Sequence, residues 1–134
     1  MTTVSRDELK QRGVKRFFRS FRYAMDGLKY AFKFEQNLTV HILATLAVIV
    51  LGVTFSIEPY EWMMCVLAIG LVIATELINT SIEATIDLVS PEYNKLAKTA
   101  KDTASSAVLI FAIAALIIGL IIFVPKIIFL FEHL

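Results

Sequence analysis

A chain of 134 residues that is 57% hydrophobic and only 19% charged has the composition of a small integral membrane protein. The single cysteine, Cys65, excludes an intrachain disulfide, whereas the net charge of +1 excludes no class of partner. The distribution of the charges is more informative, because they are concentrated in a few segments that flank long apolar stretches. We therefore expect an all-α membrane protein that forms a single domain over residues 1–134.

Residues 1–35 are predicted to form an amphipathic helix that lies on the membrane surface. Ser5 and Glu8 fit a capping box, and apolar side chains then recur at three- and four-residue steps among basic ones. The apolar positions are Val14, Phe17, Phe18, Phe21, Met25, Leu28 and Phe32. Such a helix suits anionic lipid headgroups, although packing against its own bundle is an equally good alternative. The aromatic stripe argues against a nucleic-acid arm, in which aromatic residues are interleaved for stacking.

Three later segments are long enough to cross a hydrocarbon core of about 30 Å, which needs roughly 20 apolar residues in a helix. They are residues 38–57, 62–89 and 102–124. Lys and Arg residues precede the first span, and Lys95, Lys98 and Lys101 lie between the second and the third. The opposite connection contains only acidic charges, so we expect the N-terminus and the second loop to face the cytoplasm.

The second span contains acidic residues near its cytoplasmic end. At about 100° per residue, Glu83 and Asp87 lie roughly 20° to either side of Glu76, and Asn79 lies about 60° away. Four polar side chains therefore share one helix face inside or bordering the membrane. Acids at such a depth are expensive, so they pair with basic residues, relay protons or serve another function.

Further polar residues are expected at the same depth. Glu35 precedes the first span, and Lys101 and Asp102 precede the third. Mg²⁺ prefers a few carboxylates together with nucleotide phosphates, and lysine neutralises phosphate charge. This combination favours phosphoryl transfer, although the sequence contains no GxxxxGK[ST] motif and no glycine-rich phosphate loop.

Two runs of sequence resemble the small prokaryotic diacylglycerol kinase family. They are Glu76 to Asp87 (ELINTSIEATID) and Ala100 to Leu109 (AKDTASSAVL). The resemblance also covers residues 23–35 and all three spans. The FEQNLTVH motif at the start of the first span is similar to the Gram-positive branch, whose members act as undecaprenol kinases. The pair Glu61-Trp62 and the FVPK motif at the end of the third span are similar to the same branch.

This resemblance implies a homotrimer whose active sites lie at the cytoplasmic membrane boundary and are built partly from neighbouring protomers. It implies direct in-line transfer of the γ-phosphate from MgATP to a lipid alcohol. Glu76 is then the general base, Asn79 supports it, and Lys101 offsets phosphate charge. Glu35 and Glu83 are the implied Mg²⁺ ligands, placed against ATP. The further implied nucleotide contacts are Arg16, Tyr23, Glu92, Tyr93, Asn94, Lys101 and Asp102.

The acceptor and the class of function have alternatives at this point. Undecaprenol is favoured by the branch motifs, but diacylglycerol also presents a primary hydroxyl at the interface. A small oligomeric proton or cation transporter would use Glu76 and Glu83 as well, without an evident need for Lys101 and Asp102. His41, in the first span, is expected to be a packed or hydrogen-bonded histidine, since no cluster of metal ligands accompanies it.

Overall fold

The computed structural model describes residues 14–133, and the capping box expected at Ser5 and Glu8 lies outside them. The described residues form four helices: α1 (Val14–Phe34), α2 (Gln36–Thr54), α3 (Pro59–Val89) and α4 (Lys95–Glu132). The last three are long and apolar enough to cross a membrane, which confirms the all-helical architecture with three apolar helices. Two compact units divide at the start of Glu35, and each is described by itself.

The 21 residues of α1 are mainly basic or apolar. Its aromatic side chains are largely exposed, and the rings of Phe17 and Phe21 lie 6.0 Å apart, one turn from each other. The Lys33 ammonium group lies 5.2 Å from the centre of the Phe34 ring, within range of a cation–π interaction. The helix therefore has an apolar surface with cationic groups beside it.

A tight turn joins α2 to α3 because Gly52 leaves room for an aromatic ring. A Cβ atom at Gly52 would lie 2.6 Å from the Trp62 indole, so only glycine allows this close approach. Ser56 adopts a left-handed backbone conformation with φ of 48°, and the amide of Ile57 donates to the carbonyl of Gly52 at 3.1 Å. Residues 55–57, which we had expected in the first span, therefore belong to the turn.

α3 begins with strong helix-start signals. Pro59 occupies the first turn, where its missing N–H has no cost, and the Glu58 amide donates to Glu61 Oε2 at 2.8 Å in a capping box. α4 begins similarly, since the Asn94 side chain accepts a hydrogen bond from the Leu96 amide at 2.8 Å. α4 therefore extends beyond the expected span 102–124 at both ends.

α3 and α4 pack along each other as an antiparallel pair, more extensively than α2 packs on α3. Ion pairs join them at both ends, between Lys101 and Asp87 and, at 3.1 Å, between Lys126 and Glu61. Near the second pair lies the buried core of the turn region. Its members are Ile57, Cys65, Ile122 and Phe123. The turn between α2 and α3 is consequently packed against α4.

Candidate active site

The carboxyl group of Glu76 is the most unusual feature of the spanning helices. The residue is only 1% exposed, and neither of its carboxylate oxygens has a hydrogen-bond partner within residues 14–133. The Thr80 hydroxyl donates to the Glu76 backbone carbonyl at 3.0 Å, so it makes no hydrogen bond to the Glu76 carboxyl group. A buried acid without partners costs free energy, which points to a role in binding or chemistry.

Several polar groups surround this carboxyl group. Glu35 and His41 of α2 and Glu83 of α3 lie near enough to interact with it electrostatically, and the Asn37 side chain lies close to it without the geometry of a hydrogen bond. Glu35 occupies the N-cap position of α2, yet its side chain makes no capping hydrogen bond to the described helix. The Glu35 carboxylate is therefore available to a ligand.

Asn79 contacts Glu83 one turn further along α3. Its side-chain nitrogen donates to Glu83 Oε1 at 3.0 Å, which holds that carboxylate in place. The Asn79 side-chain oxygen is buried and has no partner in the described part of the chain. The contact with Glu83 shows Asn79 orienting a carboxylate, whereas its expected support of Glu76 stays a prediction.

The carboxylate oxygens near Glu76 are of the kind that binds Mg²⁺. The carboxylates of Glu35 and Glu83 are hard ligands, and Glu83 keeps one oxygen that Asn79 does not use. No group of three or more His, Cys, Asp or Glu residues among positions 14–133 is arranged to hold a metal ion by itself. Mg²⁺ would therefore share oxygen ligands between these two carboxylates and the phosphates of a nucleotide.

A polar cleft of about 380 Å³ lies at the connection between α3 and α4. Lys101 donates to Asp87 across this cleft, and Lys98 donates to Asp102 along α4. The cleft also contains the expected nucleotide contacts of the loop, which are Glu92, Tyr93 and Asn94. Asp87 follows Glu83 by one turn of α3, so the cleft is adjacent to the acidic group around Glu76.

The structure thus collects most of the expected site residues into two neighbouring groups. Glu35, Glu76, Asn79 and Glu83 form one group, and the loop residues with Lys101 and Asp102 form the other. Arg16 and Tyr23 are exposed residues of α1, in the unit that is described separately.

Sequence reasoning gave no site role to three members of these groups, although it named His41 as a packed histidine and used Lys98 only for the orientation. His41 and Asn37 approach Glu76, and Lys98 lines the cleft. A signal for the first two was present, because Asn37, His41 and Thr45 recur every four residues and form a polar stripe on an otherwise apolar helix. The stripe identifies the face of α2 that turns toward the acids.

Comparison with known proteins identifies the family. The profile described as Prokaryotic diacylglycerol kinase matches residues 22–123, which is most of the chain. The chain belongs to this family. Among its relatives, the undecaprenol kinase of Bacillus subtilis (strain 168) is 42% identical over 113 residues, covering 84% of this chain and 92% of that protein.

Other relatives in the family are diacylglycerol kinases. That of Synechocystis sp. is 41% identical over 107 residues, which cover 79% of this chain and 61% of the relative. That of Escherichia coli (strain K12) is 30% identical over 105 residues, which cover 78% of this chain and 86% of the relative. The resemblance inferred from the runs at Glu76 and Ala100 is therefore confirmed.

Proposed function

We propose that this lipid kinase transfers the γ-phosphate of ATP to the hydroxyl group of undecaprenol and so makes undecaprenyl phosphate. The observation that carries the proposal is the buried, unpartnered carboxyl group of Glu76, which lies on the same helix as Asp87 of the lysine-containing cleft, about 16 Å from it along α3. The identity to the Bacillus subtilis undecaprenol kinase favours the polyprenol over other acceptors.

Glu76 acts as the general base in this mechanism. Its unpartnered oxygens accept the proton of the acceptor hydroxyl while that oxygen bonds to the γ-phosphorus and the bond to the β–γ bridging oxygen breaks. ADP leaves, and no covalent phosphoenzyme is required. Because phosphoryl transfer passes through a loose transition state, part of the role of Glu76 is to position the hydroxyl.

The loop cleft holds the nucleotide. Lys101 exchanges Asp87 for a phosphate oxygen, and Asp102, Glu92, Tyr93 and Asn94 contact the remainder of ATP. Arg16 and Tyr23 are included as further nucleotide contacts on the basis of the family resemblance. When bound to Glu35, Glu83 and the phosphates, Mg²⁺ supplies positive charge that offsets the charge of the transferred group.

The membrane arrangement is part of the same proposal. Residues 1–134 form one kinase domain whose predicted spans, 38–57, 62–89 and 102–124, correspond to α2, α3 and α4. The predicted amphipathic segment 1–35, described from Val14 onward, lies on the cytoplasmic surface of the bacterial cell membrane. The basic residues of α1 and of the first turns of α4 support this orientation. Three copies assemble into a homotrimer that completes the sites.

Phosphate transfer from radiolabelled MgATP by the purified protein tests the proposal. Undecaprenol and diacylglycerol are offered side by side, with Glu76→Gln as the inactive variant and Glu132→Gln, which changes an exposed acid of α4, as the matched control. We expect transfer to undecaprenol, at least about 100-fold slower in Glu76→Gln and unchanged in Glu132→Gln.

The other outcomes separate the alternatives. Preferred transfer to diacylglycerol would place the protein with the relatives that carry that name. Transfer to neither lipid, together with a cation flux that Glu76→Gln abolishes, would replace the kinase with a transporter.

A further inference from the structure

The imidazole group of His41 is a polar ring in an apolar setting. It lines a cavity of about 380 Å³ between α2, α3 and α4, whose other described lining side chains are apolar except that of Thr45. The Thr45 hydroxyl donates to the His41 backbone carbonyl at 2.8 Å, so it is held within α2. A polar group among apolar ones costs free energy unless a hydrogen bond compensates for the lost water. The half-buried ring therefore requires a partner from another helix.

The contact between Gly52 and Trp62 sets the level of His41 against α3. The Trp62 ring lies so close to Gly52 that a Cβ atom there would be 2.6 Å from it. From this contact α2 and α3 run in opposite directions, and each rises about 1.5 Å per residue. Glu76 lies about 21 Å from Trp62 along α3, and His41 lies about 17 Å from Gly52 along α2. The two residues are therefore separated by only about 5 Å in depth.

His41 and Glu76 also lie on adjoining faces of their helices. His41 shares the lining of the cavity with Ile73, which precedes Glu76 by less than one turn of α3. The electrostatic interaction between His41 and the Glu76 carboxyl group agrees with this placement. That carboxyl group has no hydrogen-bond partner within residues 14–133, whereas an imidazole N–H is a donor. Each group therefore supplies what the other lacks.

The other polar groups near Glu76 are less suited to this contact. Glu35 and Glu83 are acids, whose charges repel the Glu76 carboxylate. Asn37 has an amide that can donate, but the residue is exposed, so water can satisfy it. His41 is the half-buried donor among them.

We propose that His41 is a positioning residue for phosphate transfer, whose ring N–H donates to one oxygen of the Glu76 carboxylate when the acceptor binds and leaves the other oxygen facing the acceptor hydroxyl. The proposal rests on the lipid kinase function proposed above and adds the group that orients its base. A carboxylate held at one oxygen presents the second in a fixed direction, which favours productive alignment of the hydroxyl. The proton of the hydroxyl passes to Glu76, and His41 neither gains nor loses one.

Phosphate transfer to undecaprenol by variants of His41 tests this role. His41→Leu removes the donor, and His41→Gln restores an N–H at a similar reach. His133→Leu, which changes an exposed histidine at the end of α4, is the matched control. We expect kcat to fall about 10-fold to 100-fold in His41→Leu, with the KM values for ATP and undecaprenol unchanged. His41→Gln should recover part of the loss, and His133→Leu should match the wild type.

A second measurement shows whether His41 acts through Glu76. Glu76→Gln alone is compared with the double variant Glu76→Gln/His41→Leu. Because His41 has no carboxylate to orient in this background, we expect the second substitution to lower the residual kcat by less than about twofold. A merely structural role would lower kcat by the same factor in both backgrounds and would overturn the proposal.

Two other results would also overturn it. One is an unchanged kcat in His41→Leu, and the other is a raised KM for undecaprenol with kcat unchanged, which would make His41 a contact of the acceptor. If His41→Leu does not fold, His41→Asn takes its place, since its shorter amide should not reach Glu76. The loss in kcat is then expected in His41→Asn and its partial recovery in His41→Gln.

The wild-type protein separates this proposal from the one it rests on. If the wild type phosphorylates neither undecaprenol nor diacylglycerol, the proposed function fails before any variant is compared. If it prefers diacylglycerol, the same variants are compared with diacylglycerol as the acceptor, and the expected results are the same.

Discussion

The lysines of the loop cleft are held by carboxylates that a nucleotide would displace. Lys101 pairs with Asp87 and Lys98 with Asp102, and all four residues line the same cleft. Pairs that are this exposed contribute little to stability, about 0 to 1 kcal/mol each. In the proposed function, phosphate oxygens therefore replace these carboxylates without a large loss in folding free energy.

Substitution of these lysines should weaken ATP binding to different degrees. We expect Lys101→Met to raise the KM for ATP by about 10-fold to 100-fold, since a charge-assisted hydrogen bond is lost, and to lower kcat. Lys98→Gln should raise the KM for ATP several-fold and change kcat little. Lys95→Gln, an exposed lysine of the same helix, is the control. Steady-state kinetics at fixed acceptor concentration give these values, and an unchanged KM for ATP in Lys98→Gln would show that Lys98 does not bind phosphate.

At the scale of helices, two ion pairs fix the register of α3 against α4. Glu61 and Asp87 are separated along α3 by nearly the same distance as Lys126 and Lys101 along α4. An antiparallel pair with matching separations can close both ion pairs at once. The pair far from the α3–α4 loop consequently helps to fix the position of Lys101 along α3.

Loss of the Lys126 partner should destabilise the α3–α4 pair. In Lys126→Met, the Glu61 carboxylate keeps its hydrogen bond from the Glu58 amide but loses its cation, so we expect a lower melting temperature in detergent. Glu61→Gln combined with Lys126→Met should recover most of the loss. Lys29→Met removes an exposed pair with Asp26 and should have no effect. Equal melting temperatures for Lys126→Met and the wild type would contradict a structural role for the pair.

Hydrophobic patterning predicted the three apolar helices but not their ends. The third was expected to begin at residue 102, because Lys95, Lys98 and Lys101 suggested a loop. The structure continues the helix back to Lys95, since Asn94 caps it and lysine is a good helix former in water. The apolar stretch of a sequence shows which residues lie within the membrane, whereas the capping residues show where the helix begins.

The parts of the candidate site that depend only on residue spacing along one helix were predictable from the sequence. The common face of Glu76, Asn79 and Glu83 follows from helix geometry, and the hydrogen bond between Asn79 and Glu83 agrees with it. The approach of His41 to Glu76 and the pairing of Lys101 with Asp87 depend on the register between different helices. One sequence contains no measure of that register, so these contacts required the structure.

At the scale of the whole molecule, the proposed trimer predicts sites shared between protomers. Many large apolar side chains of the spanning helices are exposed, which leaves surface for both lipid and neighbouring copies. Suppose that Glu76 of one protomer and Lys101 of the next belong to the same active site. Mixed oligomers of Glu76→Gln and Lys101→Met then contain some sites with both native residues. Random mixing of equal amounts should restore about one quarter of the wild-type activity.

Co-expression and purification of the two inactive variants through different tags measures this recovery. Each variant alone serves as the baseline, and separately purified variants combined after assembly serve as the control. A mixed oligomer no more active than its parents would assign both residues to a site within one protomer.

The packing of α3 along α4 also bears on how the chain enters the bilayer. During synthesis α3 must carry Glu76 and Glu83 toward the hydrocarbon region, where a charged side chain costs up to about 3 kcal/mol at insertion. α4 follows after a short loop and is the most apolar of the three spans. A hairpin that inserts as a unit lets the favourable partitioning of α4 offset the cost of α3. The order of the helices along the chain therefore favours insertion, because the acidic span is followed directly by the most apolar one.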